Sequence, residues 1–282
     1  MINNDIMTIE NYPYTTDQIA HRLQSVHQRP APMSEQDMYR FILGSIDLTT
    51  LEGTDNVQVV KDLCQKALDF QAQKACMPAA VCVYPPFVKT AAEMLHDQPI
   101  TVASVAGAFP AGQSPIAVKV AEVRYAVEQG ADEIDMVISR GTFLQGDYQT
   151  VYDEIKAIKE ACKDAKLKVI LETGELKTPQ NIFKASQIAI AAGADFIKTS
   201  TGKIAVNATP EAFLVMMDAI KFHHQQTGKQ VGIKAAGGIS DPETAIYYVK
   251  LLNNVLGSAW MNRDMFRIGA SRLASKVAEK IR

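Results

Sequence analysis

Residues 196–242 read FIKTSTGKIAVNATPEAFLVMMDAIKFHHQQTGKQVGIKAAGGISDP, and their pattern decides the fold. Phe196 to Ser200 is a short apolar run of strand length. Thr209-Pro210 then puts a capping residue before a proline at the first helical position, where the missing N–H is not needed. A helical pattern runs from Pro210 to Gln226, a second apolar run covers Val231 to Ala236, and Asp241-Pro242 opens the next helix. Strand, helix and strand in this order make a βαβ unit.

Working outward, the same alternation fills the chain after residue 40. Further strand candidates are Phe41 to Leu48, Ala80 to Tyr84, Thr101 to Ala106, Glu133 to Ser139, Lys168 to Glu172 and Phe266 to Ala270. Helical patterns cover Val57 to Ala75, Pro115 to Gln129, Tyr148 to Lys163, Pro179 to Ala191 and Pro242 to Leu256, and Ser114-Pro115 and Thr178-Pro179 repeat the capping signal. Eight strands in roughly 240 residues predict an α/β fold, a (β/α)8 TIM barrel over residues 41–282. An open doubly wound sheet would carry Gly-x-Gly-x-x-Gly after its first strand; here that strand ends in Asp47-Leu48-Thr49-Thr50. Residues 1–40, polar and containing Pro13, Pro30 and Pro32, read as a short N-terminal extension with a helix over Thr16 to Val26. Such an extension packs against the barrel bottom or joins a subunit contact.

Composition narrows the function. Among 282 residues, 47% are hydrophobic and 21% charged, enough to bury a core. The 29 Lys and Arg against 31 Asp and Glu give a net charge of -2, so no basic surplus points to nucleic acid or anionic lipid. No apolar run approaches the length of a membrane span, and the N-terminus MINNDIMTIENYPYTT lacks a basic start followed by an apolar stretch. A cytoplasmic protein is expected. Cys64, Cys76, Cys82 and Cys162 form no C-x-x-C pair and read as reduced thiols. His21, His27, His96, His223 and His224 lie in no metal-ligand spacing, so no metal or other cofactor is expected. Trp260 reads as a packing residue before the last strand.

The candidate site comes from charges where a barrel should be greasy. In Ile46-Asp47-Leu48, Ile134-Asp135-Met136, Ile197-Lys198-Thr199 and Ile233-Lys234-Ala235 the neighbours suit the helix side. Alternation therefore sends Asp47, Asp135, Lys198 and Lys234 inward, and Glu172 joins them at the end of strand five. Each is costly to bury unpaired, so five together suggest chemistry, although an ion-pair network that only fixes the fold is the alternative. Lys198 and Lys234 sit on neighbouring strands, where each cation raises the cost of charging the other. A lysine pushed toward neutrality is a nucleophile, and Asp135 or a water it holds can shuttle protons. Thr201-Gly202-Lys203, Gly237-Gly238 and Gly269-Ala270-Ser271 follow strands six, seven and eight, where backbone N–H groups can approach a phosphate.

These runs resemble the deoxyribose-phosphate aldolase family. The similarity rests on F-I-K-T-S-T-G-K at residues 196–203, G-I-K-A-A-G-G at 232–238, E-I-D at 133–135, V-C-V-Y-P at 81–85 and I-D-L-T at 46–49. V-A-S-V at 102–105, F-P-A-G at 109–112 and V-N-A-T at 206–209 extend it, so that it covers about residues 40–275. The resemblance implies a class I aldolase on a (β/α)8 barrel, cleaving 2-deoxy-D-ribose 5-phosphate reversibly to D-glyceraldehyde 3-phosphate and acetaldehyde. It implies that Lys198 forms the Schiff base, Lys234 depresses its pKa and Asp135 joins the proton relay. Asp47 and Thr201 would position substrate, and Gly202, Lys203, Gly237, Gly238 and Ser271 would hold phosphate. Cys82, at the end of strand two, either faces the substrate or is a small buried hydrophobe.

A homodimer is what the resemblance suggests for assembly. Ala235 replaces a common proline, Ser240 a common arginine and Arg272 a common small polar residue, and the chain ends at Lys280-Ile281-Arg282 without the tyrosine-ended tail of some members. The competing readings are a phosphosugar isomerase, with Glu172 as base, and a non-catalytic phosphometabolite-binding barrel.

Overall fold

Side-chain alternation in the strands builds two concentric layers. Leu48, Val81, Val83, Ile134, Met136, Val169, Ile197, Ile233 and Ile268 are buried in one apolar cluster with the inner faces of the helices. The residues between them point to the barrel axis. In the computed structural model, which describes residues 9–282, the eight strands are β1 (Ile46–Thr49), β2 (Ala80–Val83), β3 (Thr101–Ala106), β4 (Glu133–Val137), β5 (Lys166–Ile170), β6 (Phe196–Lys198), β7 (Gly232–Ala236) and β8 (Phe266–Ala270). They pair in parallel in sequence order, and β8 closes on β1. The fold is therefore the (β/α)8 barrel that the pattern predicts.

The outer layer comprises α3 (Val57–Lys74), α4 (Val88–Met94), α5 (Ile116–Glu128), α6 (Arg140–Leu144), α7 (Tyr148–Ala161), α8 (Thr173–Leu176), α9 (Pro179–Ala191), α10 (Pro210–Thr227), α11 (Pro242–Leu256) and α12 (Leu273–Lys280); α1 (Thr16–His27) and α2 (Glu35–Gly44) precede β1. Thr178, Thr209 and Asp241 each accept a hydrogen bond from the N–H three residues on, with proline at the first helical position. Ser114-Pro115 does not follow this pattern: Pro115 is itself the extended cap of α5 and offers no side-chain acceptor. The strand expected over Phe41 to Leu48 is also corrected. Its first four residues complete α2, with Ile42 and Leu43 fully buried, because that apolar stretch continues a helical stripe begun at Met38 and Tyr39.

The described residues before β1, 9–45, lie on the outside of the barrel. Helix α1 packs on α10 and α11, and the segment ahead of it crosses α9 and α10. There Glu10 N–H donates to Gln187 Oε1 (2.9 Å), and Tyr12 O–H and Arg22 both donate to Asp218 (2.7 Å). Phe41 of α2 stacks on Phe266, at the amino-terminal end of β8. Readings that concern residues 1–8 lie outside the described residues. No helix among the described residues is long and apolar enough to cross a membrane. Trp260 is buried and donates its indole N–H to the Val231 carbonyl (2.9 Å), a packing role.

Candidate active site

Register fixes which charges meet. Lys198 pairs directly with Lys234 across β6 and β7, Asp135 with Lys168 across β4 and β5, and Lys234 with Arg267 across β7 and β8. All these side chains point inward, where Asp135 is the hub. Its Oδ2 accepts from Lys198 Nζ and Lys234 Nζ, both at 2.7 Å, and its Oδ1 accepts from Lys168 Nζ at 2.7 Å. Lys234 also donates to Asp47 Oδ2 at 2.5 Å, and Arg267 bridges Asp47 (2.7 Å) and Glu133 (2.8 Å). Glu133 in turn meets Lys168 at 2.5 Å.

Four of the five expected groups thus converge: Asp47, Asp135, Lys198 and Lys234. Glu172 does not join them. Strand β5 ends at Ile170, and Glu172 takes a left-handed backbone (φ 57°) that turns its carboxylate toward Thr201 and Arg140. Three members were missed in its place: Lys168, Glu133 and Arg267. The alternation that singled out Asp135 also applies to Glu133 two residues earlier, and to Arg267 between Phe266 and Ile268. Reading only the carboxyl ends of the strands hid them, since these residues lie deeper along the axis.

Counting the cluster gives four cations, Lys168, Lys198, Lys234 and Arg267, and three carboxylates, Asp47, Glu133 and Asp135. All are buried, so full ionisation would leave one uncompensated positive charge out of water. Lys198 is the least compensated of these cations. Lys168 and Lys234 each meet at least two carboxylates, whereas Lys198 has only its share of Asp135. Burial pulls the Lys198 amine below the ordinary lysine range; Asp135 opposes this and the Lys234 charge reinforces it. Burial also disfavours charge on Lys234, but Asp135 and Asp47 outweigh it and hold that ammonium above its usual range. Asp135 is likewise held far below the ordinary carboxylate range, because three lysines outweigh its burial.

Among the three axial lysines, Lys198 is therefore the one whose amine is biased toward the neutral, nucleophilic form. Its reactive form is present above its folded-state pKa and is lost as pH falls through that value. Competitive labelling by a small amine reagent should give Lys198 a half-point below the roughly 10.4 of a free lysine. A half-point at or above 10.4 would contradict that ordering of charges.

Above the cluster lies a cleft of about 170 Å³ lined by Lys198, Thr201, Gly202, Lys203, Gly237 and Ser271, among others. Gly202 and Gly237 have φ of 82° and 80°, and a Cβ on Gly237 would lie 2.6 Å from Asn207. Only glycine suits such a turn, and it leaves main-chain N–H groups at the cleft wall. Gly238 shares the turn without lining the cleft, and Lys203 Nζ meets Glu52 at 3.0 Å across the mouth. Asp47 lies below the cleft, with both oxygens engaged by Lys234 and Arg267. Cys82 is fully buried among Leu51, Ala80, Ala103 and Val105, and burial pushes its thiol up to about 11. Ala235 is buried on the helix side of β7, the Ser240 carbonyl accepts from Lys276 (2.9 Å), and Arg272 is exposed beside α12.

Residues 41–248 match the family model described as DeoC/LacD family aldolase. The chain belongs to that family. Its relatives include the deoxyribose-phosphate aldolase of Homo sapiens, 45% identical over 249 residues, which is 84% of this chain and 78% of the human protein. The Mus musculus deoxyribose-phosphate aldolase is 45% identical over 248 residues, again 84% of this chain and 78% of that protein. Among solved structures, the tetrameric deoxyribose phosphate aldolase from Aeropyrum pernix superposes with a TM-score of 0.71 at 27% identity, covering 95% of this chain and 98% of that one. Membership in an aldolase family agrees with a barrel whose mouth carries an amine biased toward neutrality.

Proposed function

We propose that this aldolase cleaves 2-deoxy-D-ribose 5-phosphate reversibly to D-glyceraldehyde 3-phosphate and acetaldehyde through a Schiff base on Lys198. The observation that carries this reading is the charge imbalance that leaves Lys198, at the floor of a cleft walled by glycine turns, as the buried lysine with least compensation. Lys198 Nζ attacks C1 of the open-chain aldehyde, and loss of water from the adduct gives an iminium. The C3 hydroxyl then gives up its proton to Asp135 or a water it holds, the C2–C3 bond breaks, and its electron pair moves into the iminium to form an enamine. Glyceraldehyde 3-phosphate departs. Protonation of the enamine's terminal carbon and addition of water return acetaldehyde and free Lys198.

Asp135, 2.7 Å from Lys198, or a water it holds, is placed to shuttle the protons of adduct formation and hydrolysis. Lys234 stays charged, so its part is the field it exerts on Lys198. Asp47 supports this part by holding Lys234 in place and does not touch the cleft. The phosphate fits the turns of Gly202 and Gly237 with Lys203 and Ser271 beside them. An isomerase reading is disfavoured because both Glu172 oxygens are engaged, leaving no free carboxylate base there. Small phosphorylated sugars and acetaldehyde are accordingly the partners.

The test is borohydride reduction with acetaldehyde or 2-deoxyribose 5-phosphate, followed by peptide mass mapping. The expected result is a single stable adduct on Lys198. No adduct at saturating aldehyde would reject the Schiff-base route.

A further inference from the structure

Glu172 is a buried carboxylate at the cleft that the mechanism leaves unused. It is fully buried, and it is held in a left-handed conformation rare for a residue with a side chain. Its Oε1 accepts from the Thr201 backbone N–H (3.1 Å) and its Oε2 from the Thr201 hydroxyl (2.5 Å). Arg140 also donates to Oε2 (3.1 Å), while donating to Glu175 (3.1 Å) and to the Ala111 carbonyl (2.9 Å). One carboxylate and one guanidinium therefore tie together the loops after β3, β4, β5 and β6.

The consequence lies in the Thr201 hydroxyl. A hydroxyl has one proton to donate and two lone pairs to accept with. Its proton is committed to Glu172, and one lone pair accepts the Lys203 backbone N–H at 3.1 Å. What remains toward the cleft, which Thr201 lines beside Lys198, is a single lone pair. We infer that Glu172 is a positioning residue that makes Thr201 an acceptor only, so that this wall of the cleft selects a substrate hydroxyl over a carbonyl or phosphate oxygen. This role rests on the aldolase reading and deepens it, since 2-deoxyribose 5-phosphate brings hydroxyls at C3 and C4 to the space next to Lys198. Acetaldehyde brings none, and its capture by Lys198 should not depend on Glu172.

Steady-state cleavage of 2-deoxyribose 5-phosphate and borohydride capture of acetaldehyde separate these dependences. Glu172→Gln should raise KM for the phosphosugar several-fold, up to roughly tenfold, the scale of one lost neutral hydrogen bond, with a smaller fall in kcat. Its rate of acetaldehyde capture on Lys198 should stay within about twofold of the wild-type rate, which also reports that the barrel is intact. Thr201→Val should reproduce the KM effect, and the Glu172→Gln/Thr201→Val pair should be no worse than Thr201→Val alone. Arg140→Lys, a milder change at a partly exposed residue, should shift KM in the same direction. An unchanged KM in Glu172→Gln, additive effects in the pair, or loss of capture in proportion to loss of cleavage would each overturn the assignment. Failure of the wild-type chain to capture acetaldehyde would instead remove the aldolase reading, and this role with it.

Discussion

Replacing Lys198 with leucine is expected to abolish the aldehyde adduct and to lower turnover by at least about 10⁴-fold, while the protein melts no lower than the wild type. The first half follows from removing the attacking nitrogen, for which no neighbour can substitute: Lys168 and Lys234 are held as ammonium ions by their carboxylates. The second half follows from charge arithmetic. Without Lys198 the axis keeps three cations and three carboxylates, a balanced set, whereas four cations against three carboxylates leave one positive charge in excess. Proton linkage points the same way. A lysine whose folded pKa lies below its unfolded value binds fewer protons when folded, so its penalty is fully present below the folded pKa and fades as pH rises toward the unfolded one. Deleting it removes that penalty at neutral pH. Thermal melts beside borohydride capture make the check, and a large drop in melting temperature with Lys198→Leu would show that Lys198 holds the axis together as a permanent cation.

The barrel was legible because strand and helix periods alternate with proline-capped helix starts, and those are local signals. Asp135, Lys198 and Lys234 were legible for the related reason that each interrupts an apolar triplet. What local reading missed was the depth and partnership of charges. Lys168 and Glu133 look like ordinary polar ends of strands until register sets Lys168 opposite Asp135 and sends Glu133 to the same face. The four residues at Phe41–Gly44 show the converse failure. A short apolar run carries no period of its own, and only continuity with the buried Met38 and Tyr39 makes it helix. Glu172 was misplaced because its left-handed backbone breaks the alternation from which its direction was inferred.

Replacing Lys234 with leucine is expected to inactivate by a different route, and the route is visible in the pH profile. Removal of Lys234 also leaves three cations and three carboxylates, but now the balanced state requires Lys198 to be charged. Asp135 Oδ2, shared between the two lysines at 2.7 Å each, would fall to Lys198 alone, and the neighbouring cation that lowers its pKa would be gone. Both changes move the Lys198 pKa upward. Each unit of that rise lowers the neutral fraction at pH 7 tenfold, so a loss of at least about tenfold at pH 7 is the expected outcome. The signature is recovery with pH: kcat/KM and the rate of acetaldehyde capture should keep climbing to a higher pH than they do in the wild type. Uniform loss at every pH would mean that Lys234 touches the reacting atoms and is more than a source of field. A profile unchanged from the wild type would mean that burial alone keeps Lys198 neutral. The two lysines, chemically alike and set in register across adjacent strands, therefore differ in function through the number of carboxylates each one meets.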